Sequence, residues 1–329
     1  MSGFLSLPDL ASRRLGGSAV AANDEFFAPK ENLLLQADAT FEPGRYTDRG
    51  KWMDGWETRR RREPGNDWCV VRLGVPGVVR GVVVDTAHFR GNHPESASVD
   101  GVRLDVEPAR WDDVAWEPLV PRSPLAGDAK NTFGVAGGRL CTHVRLSIFP
   151  DGGVARLRVH GEPVPDWEAL AGVDGAVEVA AIPRGGSVVA SSDAFFGAPH
   201  HLLLPDDSEG MWDGWETRRR RGPGNDWVVI RLGHRARIER IEIDTRHFKG
   251  NYPESARVEA IDAEGKDAVD LARNDAGWRE ILQRYRLGPD RGHVFEPPTL
   301  LSADATHLRL SIYPDGGVAR LRVYGSLLS

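Results

Sequence analysis

The chain has 329 residues, of which 40% are hydrophobic and 27% charged, with a net charge of −6. That length suits about two domains, each large enough to bury its own core. The acidic balance argues against nucleic acid or anionic membrane as a partner, and two cysteines, Cys69 and Cys141, make neither a disulfide framework nor a zinc pattern.

The N-terminal segment MSGFLSLPDLASRRLGG shows no basic stretch leading into a long apolar one, and no apolar run approaches the roughly 20 residues of a membrane helix. A cytoplasmic enzyme or binding protein is the expectation. From Ser18 the chain reads SAVAANDEFFAPKENLLL, and this block returns from Ser187 as SVVASSDAFFGAPHHLLL. Residues 36–51, QADATFEPGRYTDRGK, form an extra loop that the second copy mostly lacks. The block MDGWETRRRREPGNDW (53–68) returns as WDGWETRRRRGPGNDW (212–227), and DTAHFRGNHPESASV (85–99) as DTRHFKGNYPESARV (244–258). Finally HVRLSIFPDGGVARLRVHG (143–161) returns as HLRLSIYPDGGVARLRVYG (307–325). Four blocks recurring in one order mean duplication of a whole domain, with a repeat far longer than a solenoid unit. The expected division is a first repeat over 1–165, a linker over 166–175 whose prolines and glycines suit an extended connection, and a second repeat over 176–329.

Strands are expected where β-branched residues alternate with charges: 226–233, 236–245, and the segments on either side of the PDGG steps. PDGG has hairpin-turn chemistry, so Asp151 and Asp315 need no role beyond the turn. Cys69 and Cys141 read as small apolar residues on strands. Residues 278–287, WREILQRYRL, are the best short helix candidate. Closely spaced strands with turn signals predict an all-β chain of two sandwich or jelly-roll domains.

TFEPGRYTDRGKWMDGWETRRRR (40–62), GNDW (65–68), DTAHFRGNHPES (85–96) and FPDGGVARLRVHG (149–161), with their second copies, together resemble the allantoicase family over nearly the whole chain. The closing strands also resemble galactose-binding-like jelly rolls. The resemblance implies two tandem jelly-roll domains, hydrolysis of allantoate to (S)-ureidoglycolate and urea in purine-nitrogen recovery, and homo-oligomers, a hexamer among the sizes to expect. It implies a small-molecule partner and neither nucleic acid nor membrane.

Allantoate carries one carboxylate and two ureido groups on a central carbon, so its site must bind an anion, protonate a leaving nitrogen and activate water. Arginine suits the carboxylate, because its planar fork matches that group. On a strand, Glu57, Arg59 and Arg61 would share one face, as would Glu216, Arg218 and Arg220 in the second copy. One alternate set of the four arginines would then face inward. His88 or Glu95, and His247 or Glu254, on a turn-rich loop after a strand, are the candidates to protonate the leaving nitrogen, with Glu57 and Glu216 as the second catalytic carboxylate that helps water add. Asn92 and Asn251 are candidate substrate contacts that also suit a turn, and Asp67 and Asp226 either contact substrate or cap the following strand. No metal-ligand spacing, calcium loop or phosphate loop occurs, so chemistry without metal or cofactor is expected. One site per copy and one composite site both remain open. A non-catalytic ligand-binding module, a paired-sandwich assembly protein and a hydrolase of a related ureido substrate are the rival readings.

Overall fold

A computed structural model describes residues 3–172, 175–273 and 276–328. The chain divides into two compact units that part between Val164 and Pro165.

In the first unit the strands are Ser18–Ala22 (β1), Tyr46–Thr47 (β2), Gly50–Lys51 (β3), Trp56–Glu57 (β4), Asp67–Asp85 (β5), Ser96–Val102 (β6), Glu117–Pro124 (β7), Lys130–Gly134 (β8), Leu140–Phe149 (β9), Gly153–Val154 (β10) and Arg156–Pro163 (β11). The 19-residue β5 organises the unit. Its first part pairs with β1 on one side and with β9 on the other, and β9 continues through β6 to β7. Its second part pairs with β11 and β8. The ladder to β9 breaks between Arg72 and Gly77, and beyond that break β5 takes β11 and β8 as partners. Val70, Val71, Val82 and Val84 of β5, Leu146 and Ile148 of β9, and Leu157 and Val159 of β11 are fully buried. Such β-branched and leucine side chains suit the pleated interior, and each contributes about 1.5–3 kcal/mol on burial. Cys69 and Cys141 are free thiols buried on β5 and β9, and burial pushes the Cys141 thiol up to about 11.

The second unit repeats this plan. Its strands are Val177–Glu178 (β12), Ser187–Ser191 (β13), Trp215–Glu216 (β14), Asp226–Asp244 (β15), Ser255–Ile261 (β16), Arg279–Arg286 (β17), Gly292–Phe295 (β18), Asp304–Tyr313 (β19), Gly317–Val318 (β20) and Arg320–Leu327 (β21). β15 takes the place of β5, and carries β13, β19, β21 and β18.

Four expectations need correction. The segment 278–287 is not a helix but holds strand β17, Arg279–Arg286. Trp278, Ile281, Leu282 and Tyr285 fall at helical spacing, but Ile281 and Leu282 are buried by pairing with β16, and that ladder overrides the local pattern. The helix of this region is Ala268–Ala272, whose cap Asp267 accepts the Asp270 N–H at 2.8 Å. PDGG is not a hairpin, because β9 and β11 do not pair with each other but each with β5. Its Gly153 and Val154 instead pair with Glu57 and Trp56. A Cβ on Gly153 would lie 1.9 Å from Cε1 of the buried Phe89, so close approach demands glycine there. The arginine runs continue no strand: β4 and β14 end at Glu57 and Glu216, Arg59, Arg60 and Arg62 are exposed, Arg61 is half-buried, and no alternate set faces the core. The expected linker is not extended throughout. Trp167–Ala171 is a short helix with Asp166 accepting the Ala169 N–H at 2.9 Å, and residues 173–174 lie outside the described residues.

Candidate functional site

Glu57 is fixed by its backbone before its side chain is considered. The fully buried Trp56 donates its indole N–H to the Asp24 carbonyl at 2.8 Å, and Glu57 exchanges backbone bonds with Ala28. The carboxylate then meets the loop between β5 and β6. Asn92 Nδ2 donates to Glu57 Oε1 at 2.7 Å, while the Asn92 carbonyl accepts the Gly153 N–H at 2.8 Å. Burial raises the Glu57 carboxyl above its ordinary range, opposed by the Asn92 hydrogen bond and the Lys51 charge. Oε1 accepts from Asn92, which leaves Oε2 as the place for a proton.

On the same loop His88 has φ +68°, a left-handed conformation that costs a non-glycine residue about 1–3 kcal/mol. Its N–H donates to Asp128 Oδ1 at 2.8 Å, and Arg90 Nε donates to Asp128 Oδ2 at 3.0 Å. Nε2 of His88 lies 3.0 Å from the Ala39 carbonyl, which can only accept. Nε2 therefore carries the hydrogen, and the lone pair of the neutral ring is on Nδ1.

The extra loop of the first repeat closes over these groups. β2 and β3 pair as a small hairpin, Tyr46 with Lys51 and Thr47 with Gly50. Arg49 ties it down by donating to the Phe26 carbonyl at 2.9 Å, and the Phe41 ring stacks on His88. Glu57, His88 and Asn92 thus line one cavity of about 640 Å³ together with Phe27, Phe41, Lys51, Met53, Arg90 and Gly91. Its size and mixed lining suit a small polar ligand.

The second unit holds the matching triad. Asn251 Nδ2 donates to Glu216 Oε1 at 2.5 Å. His247 has φ +71°, lies 2.8 Å from the Ser208 carbonyl through Nε2, and donates its N–H to Asp290 at 2.7 Å.

The remaining expected site residues sit outside the cavity lining. Arg59 pairs with Asp24 at 2.7 Å and Arg218 with Asp193 at 3.3 Å. Arg61 pairs with the buried Asp67 at 2.7 Å, and Arg220 with the buried Asp226 at 2.5 Å. Glu95 is exposed and contributes backbone bonds to Phe149 and Leu125, whereas the Glu254 carboxylate accepts from Arg284 at 2.8 Å. Sequence reasoning assigned no role to Lys51, Phe41, Phe27, Met53 or Arg90; an insertion present in only one repeat was the available signal for the first two. Among the described residues, no group of three His, Cys, Asp or Glu side chains converges to hold a metal ion. No helix among the described residues is long and apolar enough to cross a membrane.

The fold and this cavity define a duplicated jelly-roll protein whose first repeat carries a carboxyl group held at a raised pKa beside an imidazole. The allantoicase repeat model matches residues 8–164 and 177–328, and the chain belongs to the allantoicase family, as an allantoicase-type hydrolase. It is 47% identical over 319 residues to a probable allantoicase of Burkholderia pseudomallei, covering 97% of this chain and 94% of that one. It is 48% identical over 329 residues to a probable allantoicase of Nocardia farcinica, covering 99% and 96%. The crystal structure of allantoicase from Saccharomyces cerevisiae superposes with a TM-score of 0.80 at 34% identity, covering 97% of this chain and 92% of that one.

Proposed function

We propose that the protein hydrolyses allantoate to ureidoglycolate and urea in the cavity of the first repeat. The observation that carries this reading is Glu57, a carboxyl group held by Asn92 and raised in pKa by burial, in a cavity of small-molecule size. A protonated Glu57 is the general acid. Its Oε2 proton passes to the leaving ureido nitrogen as the bond from that nitrogen to the central carbon breaks, and the lone pair of the second ureido nitrogen supports the carbon left behind. Water then forms the new C–O bond, and its proton passes to the Nδ1 lone pair of His88. The products are urea and the hydroxyl-bearing carbon of ureidoglycolate, so atoms and charge balance. Lys51 and Arg90 give the lining the positive charge that an anionic substrate requires. A homo-oligomer in the cytoplasm belongs to the same proposal, and light scattering of the purified protein checks its size.

The test is to supply the purified protein with allantoate and follow both products. Equimolar urea and ureidoglycolate support the reading, and their absence from a folded sample refutes it. Glu57→Gln keeps the shape and removes the proton, and lowers kcat by about 10²–10⁴. A folded E57Q enzyme with unchanged kcat would remove Glu57 from the mechanism.

A further inference from the structure

The two repeats share the Glu–Asn–His triad but not what surrounds it. In the first repeat residues 36–51 contain three acids and three bases, Asp38, Glu42 and Asp48 against Arg45, Arg49 and Lys51. In the second, the shortened counterpart 205–210 contains Asp206, Asp207 and Glu209 and no base. The loop of the first repeat is a built structure. Its root is held where Thr40 N–H donates to Asp54 Oδ2 at 2.9 Å, its hairpin is closed by the β2–β3 rungs, and Arg49 fastens it to the Phe26 carbonyl.

Two cations line the cavity, and they differ in what already neutralises them. Arg90 is paired with Asp128 at 3.0 Å. Lys51 has no carboxylate within ion-pair distance among the described residues. Its ammonium lies 4.6 Å from the centre of the Phe41 ring, and that cation–π contact holds it in place without cancelling its charge. In the second repeat Lys249, at the position of Arg90, lies 3.8 Å from Asp290, and the loop supplies no cation at all.

We propose that the loop 36–51 is the specificity element of the cavity, with the Lys51 ammonium as the anchor for the substrate carboxylate, so that only the first repeat takes a carboxylate-bearing ureido compound. This rests on the cavity being the allantoate site, and it reassigns the anion-binding task from the arginine run, whose Arg59 and Arg61 are engaged by Asp24 and Asp67. In the second repeat Arg246 is taken by Asp207 at 2.8 Å and by Asp244 at 2.5 Å, and Arg320 by Asp206 at 3.3 Å, so the cations beside the short loop are already matched by carboxylates. Duplication has therefore left two similar acid-bearing triads with one anion site between them.

The experiment is calorimetric titration of the full chain with ureidoacetate, which has one ureido group and one carboxylate, and with its neutral amide. The wild type is expected to bind ureidoacetate once per chain and at least tenfold more tightly than the amide. Lys51→Met is expected to abolish that preference with an unchanged melting temperature, and Lys51→Arg to keep it within about threefold, because charge rather than shape is what the anchor supplies. A K51M protein that still prefers the carboxylate, two sites per chain, or no preference in the wild type would overturn the proposal. Binding is read without turnover, so failure of urea release from allantoate would refute the proposed function and leave this outcome separately legible.

Discussion

Asn92→Ala tests the protonation chemistry directly. The substitution removes one side-chain donor, at 2.7 Å from Glu57 Oε1, and leaves the backbone bond from Gly153 to the Asn92 carbonyl in place. A hydrogen bond to a charged group is worth about 1.5–3 kcal/mol. Glu57 is half-buried, so solvent replaces part of that donor and the low end applies. Burial raises the Glu57 carboxyl, and Asn92 is the first of the two influences holding it down. Losing Asn92 therefore disfavours the carboxylate, and Glu57 keeps its proton to higher pH. If Glu57 acts as the acid, the alkaline limb of the kcat/KM profile moves to higher pH. At a fixed pH on that limb, the variant retains about tenfold more of its own plateau rate, since roughly 1.4 kcal/mol is a factor of ten. The assay is urea release from allantoate across pH with wild type and variant in the same buffers. A limb that stays in place refutes the assignment. An acidic limb that moves up instead makes Glu57 the base.

Two further predictions concern the frame. Arg156 is buried, pairs with Asp54 at 3.0 Å and donates to the carbonyls of Ala37, Asn32, Asp54 and Ala155, so it holds the root of the 36–51 loop. Arg156→Met strands Asp54 and these carbonyls and is expected to cost about 3–5 kcal/mol in denaturant unfolding; a loss under about 1 kcal/mol would contradict this role. His307 is buried, and burial and then the Arg231 charge depress it from 6.5 to about 4. Between those values the unfolded chain binds a proton that the folded one does not, so stability is present above pH 6.5 and lost as pH falls towards 4. Wild type is expected to lose about 2 kcal/mol more than His307→Leu between pH 7 and pH 5, measured by urea unfolding at each pH. Equal losses would show that His307 does not titrate this way.

Much of the fold was legible because duplication prints every structural demand twice. The alternating apolar residues of 226–245 set the long strand β15 and, by repetition, β5. What the sequence hid were pairings decided at long range. PDGG has turn chemistry wherever it occurs, yet its glycines serve close packing against Phe89 and Phe248 and the pairing with Glu57 and Glu216. Helical spacing in 278–287 was likewise overruled by a neighbouring strand. Within the site, Glu57, His88 and Asn92 were legible as polar residues in repeated blocks, and the structure brings them to one cavity. The arginines read as a binding surface because charge in a run looks like one, and the pairing of Arg61 and Arg220 with the buried Asp67 and Asp226 was not legible from the run itself.

Repetition also conceals. A search for residues common to both copies finds the triad, the left-handed histidine and the ion pairs, which are what the jelly roll and the shared chemistry both preserve. It cannot find Lys51 or Phe41, because the loop that bears them belongs to one copy alone. That loop sets an ammonium, matched by no carboxylate among the described residues, beside an otherwise repeated carboxyl group, whereas Asp206 and Asp207 of the short loop are already paired with Arg320 and Arg246. For an anionic substrate, such a difference in the local field outweighs close identity of the triads, since interactions at a cavity mouth are screened far less than those on open surface. The difference between the repeats, rather than their likeness, is therefore where selectivity for the substrate resides.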